Sequence, residues 1–213
     1  MSILAIDASG SRAGIAILRT DGTVVFKRRL PGRPGLIETL PVLLEEAVGG
    51  QNITAVAVTI GPGSFTGLRT SLALAQGFSA AAGIPLLGVT AKEAFAAAFP
   101  SLHRPLWVAI RARKNRIFLI RDATAEAFAD ADIPKATGPV AVAGDAAIEV
   151  ASRLAAAGAN VLLTDARIID PVWVAHAAMA RQAAGLPPHA AEPLYIDPPE
   201  AKLPAGGLRP APV

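Results

Sequence analysis

The chain has no cysteine, and that single absence removes disulfides, zinc–thiolate sites and cysteine nucleophiles together. Charge is also scarce. Only 17% of the 213 residues are Asp, Glu, Lys or Arg, against 52% hydrophobic, and the mean hydropathy is +0.44. A chain this apolar is too hydrophobic for disorder and long enough to bury a large core. It nevertheless lacks any run of about 18 strongly apolar residues, because Gly, Ser, Thr and Pro dilute every long uncharged stretch. No membrane span is expected. The opening MSILAIDASG has neither a basic segment nor a cleavage pattern, so no signal peptide is expected and the cytoplasm is the expected location. The 20 Lys and Arg against 17 Asp and Glu leave a net charge of +3, too mild to indicate nucleic-acid binding on its own. Of His103, His176 and His189, no two lie three or four residues apart, which excludes a helical zinc pair. A G-x-S-x-G nucleophile turn is absent as well.

What is present is an alternation of strand and helix, which places the chain in the α/β class. Residues 3–7 form an apolar strand, and strands at 14–18 and 23–27 are joined by Asp21-Gly22, a strong hairpin signal. A helix at 36–48 keeps Leu36, Leu40, Leu43, Leu44 and Ala47 on one face, with Pro41 inside it. A strand at 55–60, a helix at 66–82 ending at Gly83, a strand at 85–89 and a short helix at 91–98 complete the first half. In the second half, strands at 106–110 and 116–120 flank a basic turn, and 122–139 reads as loop. A strand at 140–143, a helix at 144–157 and a strand at 161–164 follow. Asp170-Pro171 then opens a helix at 172–184. The expected organisation is a lobe at 1–102, a second at 103–196, and a Pro- and Gly-rich tail at 197–213 that is not expected to pack.

The most informative segment is the strand–glycine loop–helix passage around Gly61-Pro62-Gly63-Ser64-Phe65-Thr66-Gly67. Such a turn aims backbone N–H groups at an anion, and Ser64 or Thr66 is placed to cap the helix. As a phosphate loop it is defective. Gly67 is followed by Leu68-Arg69 instead of Lys-Ser/Thr, and Thr66 stands where a dinucleotide fingerprint needs its third glycine. A tight turn with no ligand is the other reading. Asp7 with Ser9 is a second candidate, either holding a hydrated metal beside phosphates or capping its own loop. The helix at 66–82 has a single charge, Arg69, and presents Leu68, Leu72, Leu74 and Phe78 on several sides. Its small residues Gly67, Ser71, Ala75 and Ser79 recur every four positions. A helix without a charged face is buried in its own domain or covered by a partner, and we expect the partner. Between residues 104 and 121 lie six basic side chains and no acid, among them Arg111, Arg113, Lys114 and Arg116. These are either contacts to a phosphate backbone or a solvated hairpin face.

These residues resemble the TsaB (YeaZ) family in MSILAIDAS, in AVTIGPGSFTGLRTSLALAQGFSAAAGIPLLGVTAKEAFA, in ARKNRIF and in EPLYI, covering roughly 1–196. The resemblance implies an actin/Hsp70/sugar-kinase-like (ASKHA) fold of two related lobes. It implies a non-catalytic subunit in the formation of N6-threonylcarbamoyladenosine beside the tRNA anticodon. The partners it implies are a TsaD-like catalytic paralogue, a TsaE-like ATPase and tRNA through the complex, with a homodimer when the chain is alone. It also implies that ATP and metal are held by the partner subunits. The interface it implies takes in Leu36, Leu40, Leu43, Leu44, Phe65, Gly67, Leu68, Arg69, Ser71, Leu72, Ala75, Gln76, Phe78 and Ser79. Asp7, Ser9, Gly61, Gly63 and Ser64 remain the candidates for any cofactor. The chain departs from the family at Arg111, where many members carry Asp, and at Asp197, where Arg is usual. A free-standing kinase of the same fold is the alternative, with Ala143-Gly144-Asp145 as its sole candidate for a second phosphate loop.

Overall fold

A computed structural model describes residues 1–30, 35–113, 115–122 and 124–196. Lys114 and the tail at 197–213 lie outside the described residues, as do the side chains of Leu36 and Arg113.

The first sheet is built from β1 (Ser2–Asp7), β2 (Ala13–Arg19), β3 (Val24–Leu30), β4 (Ile53–Gly61) and β5 (Leu86–Thr90), in the order β3-β2-β1-β4-β5. Strands β1, β2 and β3 pair antiparallel, whereas β4 and β5 run parallel to β1. The Asp21-Gly22 turn closes β2 onto β3, with Gly22 at φ 86° and Asp21 accepting from the Thr23 N–H at 2.8 Å. The second sheet comprises β6 (Leu106–Arg113), β7 (Arg116–Arg121), β8 (Thr124–Ala129), β9 (Val140–Ala143) and β10 (Val161–Leu163). Its order, β8-β7-β6-β9-β10, is that of the first sheet repeated, and so are its pairing directions. Two lobes built on one strand plan are what the actin/Hsp70/sugar-kinase-like fold requires.

The segment at 122–139, read from sequence as loop, holds β8 and a single 3-10 turn at Asp130–Asp132. Strand β8 is half-buried along its length. Its residues therefore give neither a clean alternation nor a continuous apolar run.

Burial on both faces explains why the central strands are nearly all apolar. On one face of the first sheet, Leu4, Ile6, Ile15, Ile17, Val56 and Val58 pack under α1 (Leu36–Val48) and α2 (Phe65–Ala82). Alternate residues Ile3, Ala5, Ala16, Leu18, Ala55 and Ala57 face the middle of the molecule. There they meet α3 (Ala91–Ala97), α5 (Pro171–Ala183) and the inner face of the second sheet at Val108, Ile110 and Ala141. The second sheet's other face packs on α4 (Ala147–Ala156) through Val150 and Leu154.

Local signals set the helix ends. Gly83 ends α2 in the left-handed region, at φ 64°. Thr90 and Glu93 cap α3 reciprocally, and Asp170 accepts from the Val172 N–H at 3.0 Å with Pro171 behind it. Helix α5 follows all the strands in sequence yet packs across β1, β2, β4 and β5 of the first sheet. From its end the chain returns over the first lobe. His189 bridges Gly88 of β5, and the Leu194 N–H donates to the Ile60 carbonyl at 2.8 Å. No described helix is long and apolar enough to cross a membrane.

Candidate functional site

The glycine passage after β4 is packed against protein. The Ser64 N–H donates to the Ser9 carbonyl at 2.6 Å, and the Ser64 side chain accepts from the Gly67 N–H at 3.4 Å as the cap of α2. A Cβ on Gly63 would lie 2.4 Å from the Ser9 carbonyl oxygen, and one on Gly67 would lie 1.8 Å from that of Ala8. Gly61 adopts φ 117°, open to glycine. The glycines thus let the start of α2 sit directly on the loop that leaves β1.

That loop begins at Asp7, which is buried. Its carboxylate accepts from the Ser9 hydroxyl at 2.6 Å and from the Ser9 N–H at 3.2 Å, so it caps its own turn. Burial pushes the Asp7 pKa above the ordinary carboxylate value, against the opposing pull of Ser9, Thr59 and Arg29. Across the molecule, Asp145 accepts from the Arg111 N–H at 2.7 Å, and burial raises its pKa as well. Gly144, at φ 102°, brings the turn after β9 onto Ala109 just as the Gly61 turn approaches the loop after β1.

Between the lobes, Ser9, Gly10, Ser11, Pro62, Asp145 and Arg167 line a cleft. The cofactor candidates Asp7, Ser9, Gly61, Gly63 and Ser64 do come together, as a packed turn-on-turn contact. Among the described residues, no group of three or more His, Asp or Glu side chains is placed to hold a metal.

The structure corrects the reading of the α2 stripe. Gly67, Leu68, Ser71, Leu72, Ala75 and Ser79 all point inward, buried in the chain itself, and Leu68, Leu72 and Ala75 lie in the core against β1 and β4. The Ser71 hydroxyl donates to the Gly67 carbonyl at 3.1 Å, and that of Ser79 to Ile84 at 2.5 Å, so both polar groups are satisfied there. Leu40, Leu43 and Leu44 of α1 are buried in the same core, and Phe78 is half-buried against it. With no charged face to mark the solvent side, the sequence did not disclose that the small residues are what lets α2 lie close to its sheet. The outward face of α2 carries Phe65, Arg69, Ala73, Gln76, Gly77 and Ala80.

Three of the expected interface residues therefore remain exposed, Phe65, Arg69 and Gln76, and each meets the chain's return segment or lies against it. The Gln76 amide donates to the Ala191 carbonyl at 2.9 Å, and Arg69 Nε donates to the Tyr195 hydroxyl at 2.9 Å. The Arg69 guanidinium carbon lies 3.8 Å from the Phe65 ring centre, and the Phe65 and Tyr195 rings are 5.8 Å apart. Sequence reasoning missed Tyr195 as a member of this group, because 126 residues separate it from Arg69.

The basic hairpin is less free than its composition suggests. Arg111 pairs with Asp130 at 2.7 Å and with Glu149, so it is not an open phosphate ligand. Arg116 has an interaction of its own, and Arg121 pairs with Glu126. The acids come from β8, the 3-10 turn and α4, outside the stretch whose charge was counted.

The family described as "TsaD: tRNA N6-adenosine threonylcarbamoyltransferase" matches residues 36–168. The tRNA threonylcarbamoyladenosine biosynthesis protein TsaB of Haemophilus influenzae is 31% identical over 124 residues, 55% of this chain and 52% of that protein. The Escherichia coli protein of the same name is 37% identical over 94 residues, 42% of this chain and 40% of its own length. The matched part thus spans about half the length of these relatives. Among solved structures, a Pseudomonas aeruginosa protein described by its similarity to the peptidase YEAZ aligns with TM-score 0.73 at 20% identity, covering 92% of this chain and 99% of its own. YeaZ from the same organism aligns with TM-score 0.70 at 18% identity, covering 91% and 99%. These two likenesses are of fold.

Proposed function

The chain belongs to the TsaB (YeaZ) family, and from that premise we propose that it serves tRNA threonylcarbamoyladenosine biosynthesis as a non-catalytic subunit paired with a TsaD-like paralogue. The observation that carries this reading is the outward face of α2. In an 18-residue helix with a single charge, Ala73, Gly77 and Ala80 stay exposed after the inner face has been used for the core. A face of small, uncharged side chains lets a partner helix approach closely, and a monomer in water gains nothing from it. The pairing surface proposed is therefore this outer face, together with the exposed Val42 of α1, in place of the inward stripe. The glycine passage, packed on the loop after β1 in place of cradling a phosphate, supports assigning chemistry to the partner. The two lobes, here taken as 1–102 and 103–196, then act as a rigid support, with tRNA and a TsaE-like ATPase joining through the complex. The kinase alternative is disfavoured by the same passage, where Gly67 is followed by Leu68-Arg69 in place of the Lys-Ser/Thr of a phosphate loop.

The test is to combine this chain with the TsaD-like protein encoded in its own genome. We expect a stable complex whose threonylcarbamoyl transfer to tRNA requires this chain. Ala73→Trp and Gly77→Arg should keep the chain folded and abolish both complex and transfer. Transfer that proceeds equally well without the chain overturns the proposal.

A further inference from the structure

Arg69 is the one formal charge between Gln51 and Ala91, and its surroundings are unusual for a surface arginine. The guanidinium is stacked over Phe65, and its Nε is held by the Tyr195 hydroxyl. Both rings remain open to solvent, Phe65 at 54% and Tyr195 at 44%, with Leu194 beside them at 38%. A free arginine side chain gives up about 2 kcal/mol of rotamer entropy when it is fixed by a ligand. Here much of that ordering is already in place. The two terminal amino groups meet no acid among the described residues, in contrast to Arg111, Arg121 and Arg181, each of which has its carboxylate. Exposed Phe and Tyr around a fixed arginine is also the composition of an interface hot spot.

A planar fork whose amino groups meet no acid among the described residues fits a carboxylate. It fits a nucleic-acid backbone poorly, because successive phosphates need several cations and this face of α2 supplies one. We propose that Arg69, fixed by Phe65 and Tyr195, is the anchor for an Asp or Glu carboxylate of the protein partner, and that the return segment is thereby part of the partner-binding surface. The inference rests on the pairing proposed above. It adds the chemistry of the contact and the role of a segment that joins α2 only in the folded chain. Gln76, by holding the Ala191 carbonyl, keeps that segment in place along the helix.

The test uses the full chain and the same TsaD-like partner, with the dissociation constant measured as a function of salt and melting temperature as the control for folding. Arg69→Gln should weaken the complex about tenfold or more without lowering the melting temperature, and should flatten its salt dependence. Arg69→Lys keeps the charge without the fork and should fall between Gln and wild type. Tyr195→Phe, which frees Nε and leaves the ring, should give a smaller loss of the same sign. Wild-type affinity retained in Arg69→Gln overturns the inference and leaves the pairing standing. Failure of the wild-type chain to form any complex overturns the pairing and the inference with it. If Arg69→Gln spares the complex but weakens tRNA binding, or self-association of the isolated chain, the fork serves a phosphate or a second copy and the proposal is wrong.

Discussion

The two lobes share one strand order and differ in what lies on their outer faces. On the first sheet sit α1 and α2, the latter 18 residues long with one charge. On the second sheet sits α4 alone, ten residues long, with Glu149 in its first turn and Arg153 in its last. Where the first lobe has α1 between its third and fourth strands, the second has only a 3-10 turn. Both lobes end their fourth strand in a glycine with positive φ that sets the next turn against backbone. The turn geometry is therefore a property of the duplicated plan. The long uncharged helix belongs to the first lobe alone, and that is where a specialised surface should be sought.

The largest expected effect tests the close backbone approach at the turn of each lobe. Gly67→Ala would place its methyl group 1.8 Å from the Ala8 carbonyl oxygen, and Gly144→Ala would place one 2.1 Å from that of Ala109 at a strained φ. Each should lose about 3 kcal/mol or more in urea unfolding, because the obstacle is backbone. A near-native midpoint for Gly67→Ala would mean that α2 does not rest on the β1 loop.

Next comes a contrast within α2. Ala75 is fully buried and Ala73 is exposed, two residues apart on one helix. Ala75→Trp should leave no soluble folded monomer, whereas Ala73→Trp should stay within about 0.5 kcal/mol of wild type. Equal behaviour of the two would reverse the assignment of the faces.

A third comparison sets Asp7 against Asp145, one in each lobe and both with pKa raised by burial. Between the ordinary carboxylate value and the raised folded one, the native state holds a proton that the unfolded chain has released. Stability should therefore fall as pH rises through that window, and level off above it. Asp7→Asn keeps an acceptor for the Ser9 hydroxyl and N–H, and should remove part of this fall. Asp145→Asn should do the same for the second lobe. Urea midpoints followed from acid to neutral pH give the slope, and an unchanged slope in both variants would refute the effect.

The smallest effect has the opposite sign. Gly77 lies in the exposed middle of α2 with open space around it, so Gly77→Ala should raise stability by about 0.5–1 kcal/mol. A loss there would show that the position is not free in the isolated chain.

Much of this plan could be read from the chain because local chemistry decided it. Asp21-Gly22 made the hairpin, Asp170-Pro171 opened α5, Gly83 closed α2, and apolar runs buried on both faces marked the central strands. The candidate site was less legible, for two physical reasons. A helix with no polar face carries no mark of its own orientation, so the inward and outward small residues of α2 look alike in sequence. The Arg69–Tyr195 contact joins segments that no local pattern connects, and the acids that neutralise Arg111 likewise come from elsewhere in the chain.

The late position of α5 has a consequence for synthesis. When residues 1–102 have left the ribosome, every strand of the first sheet has been made, with α3 beside β4 and β5, but α5, which covers β1 and β2, has not. Ile3, Ala5, Ala16 and Leu18 wait for Val174, Ala175 and Ala178, which arrive only after the whole second sheet. Domains commonly fold one after another as they emerge. Here the lobe whose strands are made first is sealed late, because α5 begins at Pro171 while β5 ends at Thr90.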